Sequence, residues 1–80
     1  MKREDLETAG YVKQIYNGNT DVYKKWFKGN DERGAYIRVM YDTQEEKPYD
    51  KHLVFHNLIY DISHVKTVKQ LEKLWQLLKK

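Results

Sequence analysis

The segment Thr67 to Lys79, TVKQLEKLWQLLK, constrains the fold more than any other. Val68, Leu71, Leu74, Trp75 and Leu78 recur at helical spacing and fall within one arc of about 120° when residues are stepped at ~100° each. The segment therefore reads as an amphipathic helix. Thr67 followed three positions later by Gln70 has the form of a capping box, in which hydroxyl and amide satisfy backbone N–H groups that the first turn leaves unpaired. A helix with a single apolar stripe is not stable alone in water, so the preceding chain must supply the surface that covers it. Leu71 and Trp75, at the centre of the stripe, are the expected anchors of the core.

Eighty residues suit one domain, 1–80, in which about 60–65% of the unfolded chain's surface is buried and the core is small. The absence of cysteine removes disulfides and thiolate chemistry and fits a reducing cytoplasm. The opening MKREDLET lacks the apolar stretch of a signal peptide, and no apolar run is long enough to span a bilayer. A cytoplasmic location without membrane contact is the expectation. The net charge of +3 is unevenly placed, because residues 1–61 carry a net −1 and residues 62–80 a net +4. Lys66, Lys69, Lys73 and Lys80 gather opposite the apolar stripe, as either a solvated outer face or a phosphate-binding ridge.

Earlier in the chain, acids at Glu4 and Asp5, apolar Leu6 and Ala9, and a following Gly10 predict a short helix over Arg3 to Ala9. Tyr11 to Tyr16 and Asp21 to Phe27 are aromatic and β-branched runs around the turn-rich Asn17-Gly18-Asn19-Thr20, which predicts a β-hairpin. Helical spacing of Leu6, Ala9, Val12 and Ile15, and of Val22 and Trp26, leaves a longer first helix and a second short one as the competing reading. Lys28 to Gly34 is a polar loop. Ala35 to Asp42 is the clearest strand, with Ala35, Ile37, Val39 and Tyr41 on one face and Tyr36, Arg38, Met40 and Asp42 on the other. Thr43 to Asp50 holds the only proline and reads as an exposed connection. Lys51 to Tyr60 reads as the last strand, apolar on both faces. The order helix, four strands, helix predicts an α+β domain: a short N-terminal helix, a four-stranded antiparallel meander, and the amphipathic C-terminal helix packed on the sheet.

Taken together, REDLETAGY, the NGN turn before DVYKK, the strand YIRVMYD and the closing KTVKQLEKLWQLL resemble small uncharacterised proteins carried by bacteriophages and other mobile elements. The resemblance implies a cytoplasmic setting and a non-enzymatic job, such as binding and modulating a host or phage protein. It carries no site residues with it.

No pattern for catalysis stands out. There is no nucleophile elbow and no phosphate loop, and Glu45 and Glu46 sit in a polar loop with no apolar setting to shift a pKa. His52 and His56 lie four apart on a predicted strand, ~13 Å from each other and too far to share one ion. No metal, cofactor or enzymatic activity is expected. The unusual feature is the aromatic content, seven Tyr, two Trp and two Phe. Such rings suit a protein interface, or single-stranded nucleic acid where cations lie alongside, as in Tyr23-Lys24-Lys25-Trp26 and at Tyr36/Arg38. If both helices cover one side of the sheet, Tyr36, Arg38, Met40, Val54, Leu58 and Tyr60 are left on the other, and Leu77 falls outside the helix stripe. These seven are the candidate partner-binding residues, for a protein partner or a second copy. Lys66, Lys69, Lys73 and Lys80 are the candidates for the alternative, a nucleic-acid-binding module.

Overall fold

The computed structural model describes residues 1–27, 34–55 and 57–78, with the backbone alone described at 16 and 17. Along them run α1 (Arg3–Thr8), β1 (Val12–Asn17), β2 (Thr20–Trp26), β3 (Ala35–Asp42), β4 (Pro48–Phe55), β5 (Leu58–Asp61) and α2 (Val68–Leu78). The strands form one antiparallel sheet in the order β1-β2-β3-β4-β5, so each pairs with the next in sequence, as short connections favour. The expected α+β meander is present, with five strands in place of four.

The additional strand comes out of Lys51 to Tyr60. Instead of running straight, the chain reverses between Phe55 and Leu58, which pair with each other, and Val54, Leu53 and His52 pair in turn with Ile59, Tyr60 and Asp61. The segment is apolar on both parities and lacks the Asn-Gly signature that marks a tight hairpin, so alternation alone does not register the reversal. β4 also begins earlier than expected, at Pro48, inside the stretch predicted to be an exposed connection. Proline is tolerated there because the first strand position needs no N–H for the ladder. At the other end of the sheet the first hairpin forms as predicted, with β1 and β2 joined through Gly18 and Asn19 rather than folded into helices. The polar loop predicted from Lys28 lies outside the described residues up to position 33.

α1 ends in a left-handed glycine. Gly10 has φ +98°, its N–H donates to the Glu7 carbonyl and the Tyr11 N–H to the Leu6 carbonyl, both at 3.0 Å. This is the Schellman pairing, which satisfies two carbonyls of the last turn and folds the residue after glycine back onto the helix. The result is that Leu6 and Tyr11 enter the core together.

On the sheet, alternation sends Ile37, Val39 and Tyr41 to the side where they are fully buried. They cluster with Tyr23 of β2, Leu6 of α1 and Leu71 of α2. Because Leu6 and Leu71 join one cluster, both helices lie on the same side of the sheet. The capping box forms, with the Gln70 N–H donating to Thr67 Oγ1 at 3.1 Å and the Thr67 and Lys66 N–H groups donating to Gln70 Oε1 at 3.2 and 2.7 Å. Of the two expected anchors Leu71 is fully buried. Trp75 instead closes the rim, stacked on Phe27 with ring centres 6.1 Å apart. Lys25 joins three elements there: its ammonium lies 4.0 Å from the Trp75 ring centre and donates to the Ala9 carbonyl and to Glu72.

Two tyrosines of this core make stability sensitive to alkali. The Tyr41 hydroxyl donates to the Met1 carbonyl at 2.7 Å, and burial, opposed by the Arg3 cation over its ring, pushes its pKa up to about 12. Burial, with the Glu72 carboxylate adding to it, pushes Tyr11 up still further. A folded pKa above the unfolded ~10 means that the folded state holds the phenol proton more tightly. That contribution is complete below about pH 10 and is lost as pH climbs toward the folded value. The melting temperature should therefore drop steeply between about pH 10 and 12, with part of the phenolate absorbance appearing only together with loss of the circular dichroism of the sheet. Complete phenolate formation ahead of unfolding would show that these two hydroxyls are open to solvent.

Candidate interaction surface

Directly paired residues of neighbouring antiparallel strands point to the same side of a sheet, so the register sorts every strand side chain. The side away from the helices carries three rows running across the strands. Trp26, Tyr36, Val54 and Ile59 make an apolar row. Next to it lies a charged row, Val12, Lys24, Arg38, His52 and Asp61. A third row holds Gln14, Val22, Met40 and Asp50.

Within these rows the cations sit on β2 and β3 and the carboxylates on β4 and β5. The Lys24 ammonium lies 4.8 Å from the Tyr36 ring centre and 5.9 Å from that of Trp26, and the two rings are 5.9 Å apart at 46°. Such ring faces attract a cation through their quadrupole. Arg38 Nε donates to His52 Nδ1 at 3.0 Å, which requires the imidazole to present a lone pair on that nitrogen. His52 Nε2 lies 3.8 Å from Asp50. Asp61 accepts the Ser63 N–H at 2.8 Å, and the Ser63 amide and hydroxyl together hold its carboxyl below the usual carboxylate range. Val22 and Val54 are buried although no described helix crosses this side, while Val12 and Ile59 are more than half exposed.

Four of the candidate partner-binding residues, Tyr36, Arg38, Met40 and Val54, meet on this side. Leu58 and Tyr60 do not join them. The reversal after Phe55 gives them the parity of Phe55 and Leu53, so they point to the helix side, where they are about half exposed at 58% and 49%. Leu77 stands exposed on α2. In their place the register brings in Trp26, Lys24, His52 and Ile59. Trp26 and Lys24 carry a legible signal, because alternation within Tyr23-Lys24-Lys25-Trp26 puts them opposite Tyr23 and Lys25. The place of Ile59 follows only from the reversal.

Lys66, Lys69 and Lys73 are exposed on and just before α2, with the sheet between them and the Trp26–Tyr36 pair, and Lys80 lies outside the described residues. Lys66 and Lys69 line an open cleft of ≈ 450 Å³ with Met1, Lys2 and Asp5. A second cleft, ≈ 460 Å³, is lined by Lys2, Arg3, Glu4 and Glu46. Neither brings a nucleophile against a base. Among the described residues no three His, Asp or Glu side chains converge as metal ligands, and His56 is not among them. No described helix is long and apolar enough to cross a membrane. Compared with protein-family models, with curated proteins and with solved structures, the chain has no significant match in any of the three.

Proposed function

We propose that the chain is a non-enzymatic protein-binding module whose contact surface is the open side of the sheet. One observation carries the reading: the row Trp26, Tyr36, Val54 and Ile59, bordered by Lys24 and Arg38 with Met40 one row beyond, lies on a side that no described helix covers. In this row Ile59 is more than half exposed, Trp26 and Tyr36 are half-buried and Val54 is buried, so the contact area it offers comes from Ile59 and the two rings. Aromatic, Met and Arg side chains are also those that interface centres favour. A binding role agrees with the non-catalytic job that the resemblance to small phage proteins implies, exerted on a host or phage protein in the cytoplasm.

The test is site-specific photo-crosslinking in lysate, with the photoreactive side chain placed at Met40 on the open side or at Lys73 on α2. Protein adducts from position 40 and few from position 73 support the reading. Adducts from 73 alone transfer the contact to the helix, and none from either position removes the module.

A second reading has one observation in its favour. A lysine ammonium beside two rings is the pairing that single-strand binders use, with bases stacked on aromatics and phosphates drawn by cations. Against it, Lys66, just before α2, and Lys69 and Lys73 on it lie on the far side of the sheet, so the composite of basic helix and aromatic sheet is divided between two sides. Random single-stranded DNA and RNA titrated at low salt would bind with an affinity falling steeply as salt rises. Absence of binding at low salt eliminates it.

A further inference from the structure

We infer that the partner fitting the open side is a second copy of the chain, docked face to face about a two-fold axis that runs along the strands between β3 and β4. This rests on the open side being a contact surface and adds what occupies it. The order of residues within the rows carries the argument. An axis so placed lays β3 over β4 of the second copy and β2 over β5, and keeps each row at its own level. In the charged row, Lys24 then faces Asp61 of the second copy and Arg38 faces His52. In the apolar row, Trp26 faces the exposed Ile59, and Tyr36 comes to the level of Val54, which is itself buried. Symmetry repeats each contact, so Lys24 of each sheet meets Asp61 of the other.

Among the described residues no ion pair joins the cations of this side to Asp61, whose carboxylate is held by Ser63. Lys24 and Asp61 stand on strands three spacings apart, about 14 Å, beyond ion-pair reach. Sheets packed face to face lie about 10 Å apart with strands within about 30° of alignment, a gap that a lysine and an aspartate can bridge. An axis running across the strands at the level of the charged row instead lays each strand over its own copy and sets Lys24 against Lys24 and Asp61 against Asp61. Charge complementarity therefore selects the axis along the strands. Four strands about 4.8 Å apart and six residues of about 3.3 Å each give a footprint of roughly 20 by 20 Å per copy. That is about 400 Å² per copy and roughly 800 Å² in all, below the standard range of specific interfaces, so weak association, micromolar to millimolar, is expected.

Sedimentation of the full chain from about 1 μM to about 1 mM brackets that range. The wild type should pass reversibly from monomer to dimer. Lys24→Glu and Asp61→Lys should each weaken the dimer at least ten-fold, because each sets like charges against one another twice. Mixed in equal amounts, the two variants should form a heterodimer, since Glu then meets Lys at one contact and Lys meets Asp at the other. Lys24→Gln and Asp61→Asn, which remove a charge without reversing it, serve where a reversal unfolds the chain and should weaken the dimer several-fold. A wild type monomeric throughout overturns the inference, as does a dimer indifferent to all four substitutions or a mixture no more associated than its components. If a monomeric wild type still cross-links to another protein from position 40, the contact surface stands with a foreign occupant and only the second copy is removed. If position 40 yields no adduct either, the surface itself is wrong.

Discussion

Leu71→Ala is expected to remove a large share of the protein's stability. Leu71 is fully buried where α2 meets Leu6, Tyr23, Ile37 and Val39. Cutting it back removes transfer energy and leaves a cavity that the flanking sheet cannot close, a combined loss of about 2–5 kcal/mol. A chain of this length has only about 4–12 kcal/mol in total, at roughly 0.05–0.15 kcal/mol per residue. Leu77→Ala, on the exposed side of the same helix, is the matched control and should change stability by less than about 0.5 kcal/mol. Urea unfolding of the three proteins measures both effects. A cooperative melt for Leu71→Ala within a few degrees of the wild type would contradict the burial of this side chain.

Arg3→Ala should follow closely, at about 2–3 kcal/mol, although no apolar contact is the main loss. Arg3 donates to Asp21 Oδ2 at 2.6 Å and to the carbonyls of Asp42 and Glu45 at 3.0 and 2.7 Å. Its guanidinium also lies 4.5 Å from the Tyr41 ring centre. One side chain thus fastens α1 to β2, to the end of β3 and to the turn beyond. The Asp21 side chain is only 6% exposed, and the other cation near it, Lys13, is 3.8 Å away. Without Arg3 a nearly buried carboxylate is left facing a single distant ammonium, and the cost comes mainly from that. Arg3→Lys keeps the charge but not the planar fork that reaches several acceptors at once, so it should recover less than half of the loss. In a double-mutant cycle, Arg3→Ala and Asp21→Ala together should cost clearly less than the sum of the two. Additive losses would show that the pair contributes nothing as a pair.

What was legible beforehand follows the range of the interaction. The capping box at Thr67 and Gln70 and the stripe of α2 are written within a dozen residues and form as expected. The alternation of β3 is equally local. Gly10 also marks its helix end, because a left-handed residue there leaves few other choices. The reversal after Phe55 is different in kind. From Leu53 to Tyr60 both parities are apolar, so a straight strand and a hairpin bury comparable side chains, and only pairing with the rest of the sheet decides between them. That single ambiguity moved Leu58 and Tyr60 to the wrong side of the candidate surface and hid Ile59. Arg3 is illegible for another reason, since its acceptors lie 18 to 42 positions away and an arginine near a helix start has no local mark of such reach.

The arrival of both helices at one cluster has a consequence for how the protein forms. Every strand pairs with its neighbour in sequence, and contacts so short in range close early and fast. The cover over Ile37, Val39 and Tyr41 comes instead from opposite ends of the chain, through Leu6 and Leu71. A chain whose meander closes first passes through an interval in which α2 has not yet docked. During that interval the sheet is paired but its inner side is bare. The time for which a folding chain is open to aggregation is therefore set by the docking of α2, and a substitution such as Leu71→Ala would prolong it.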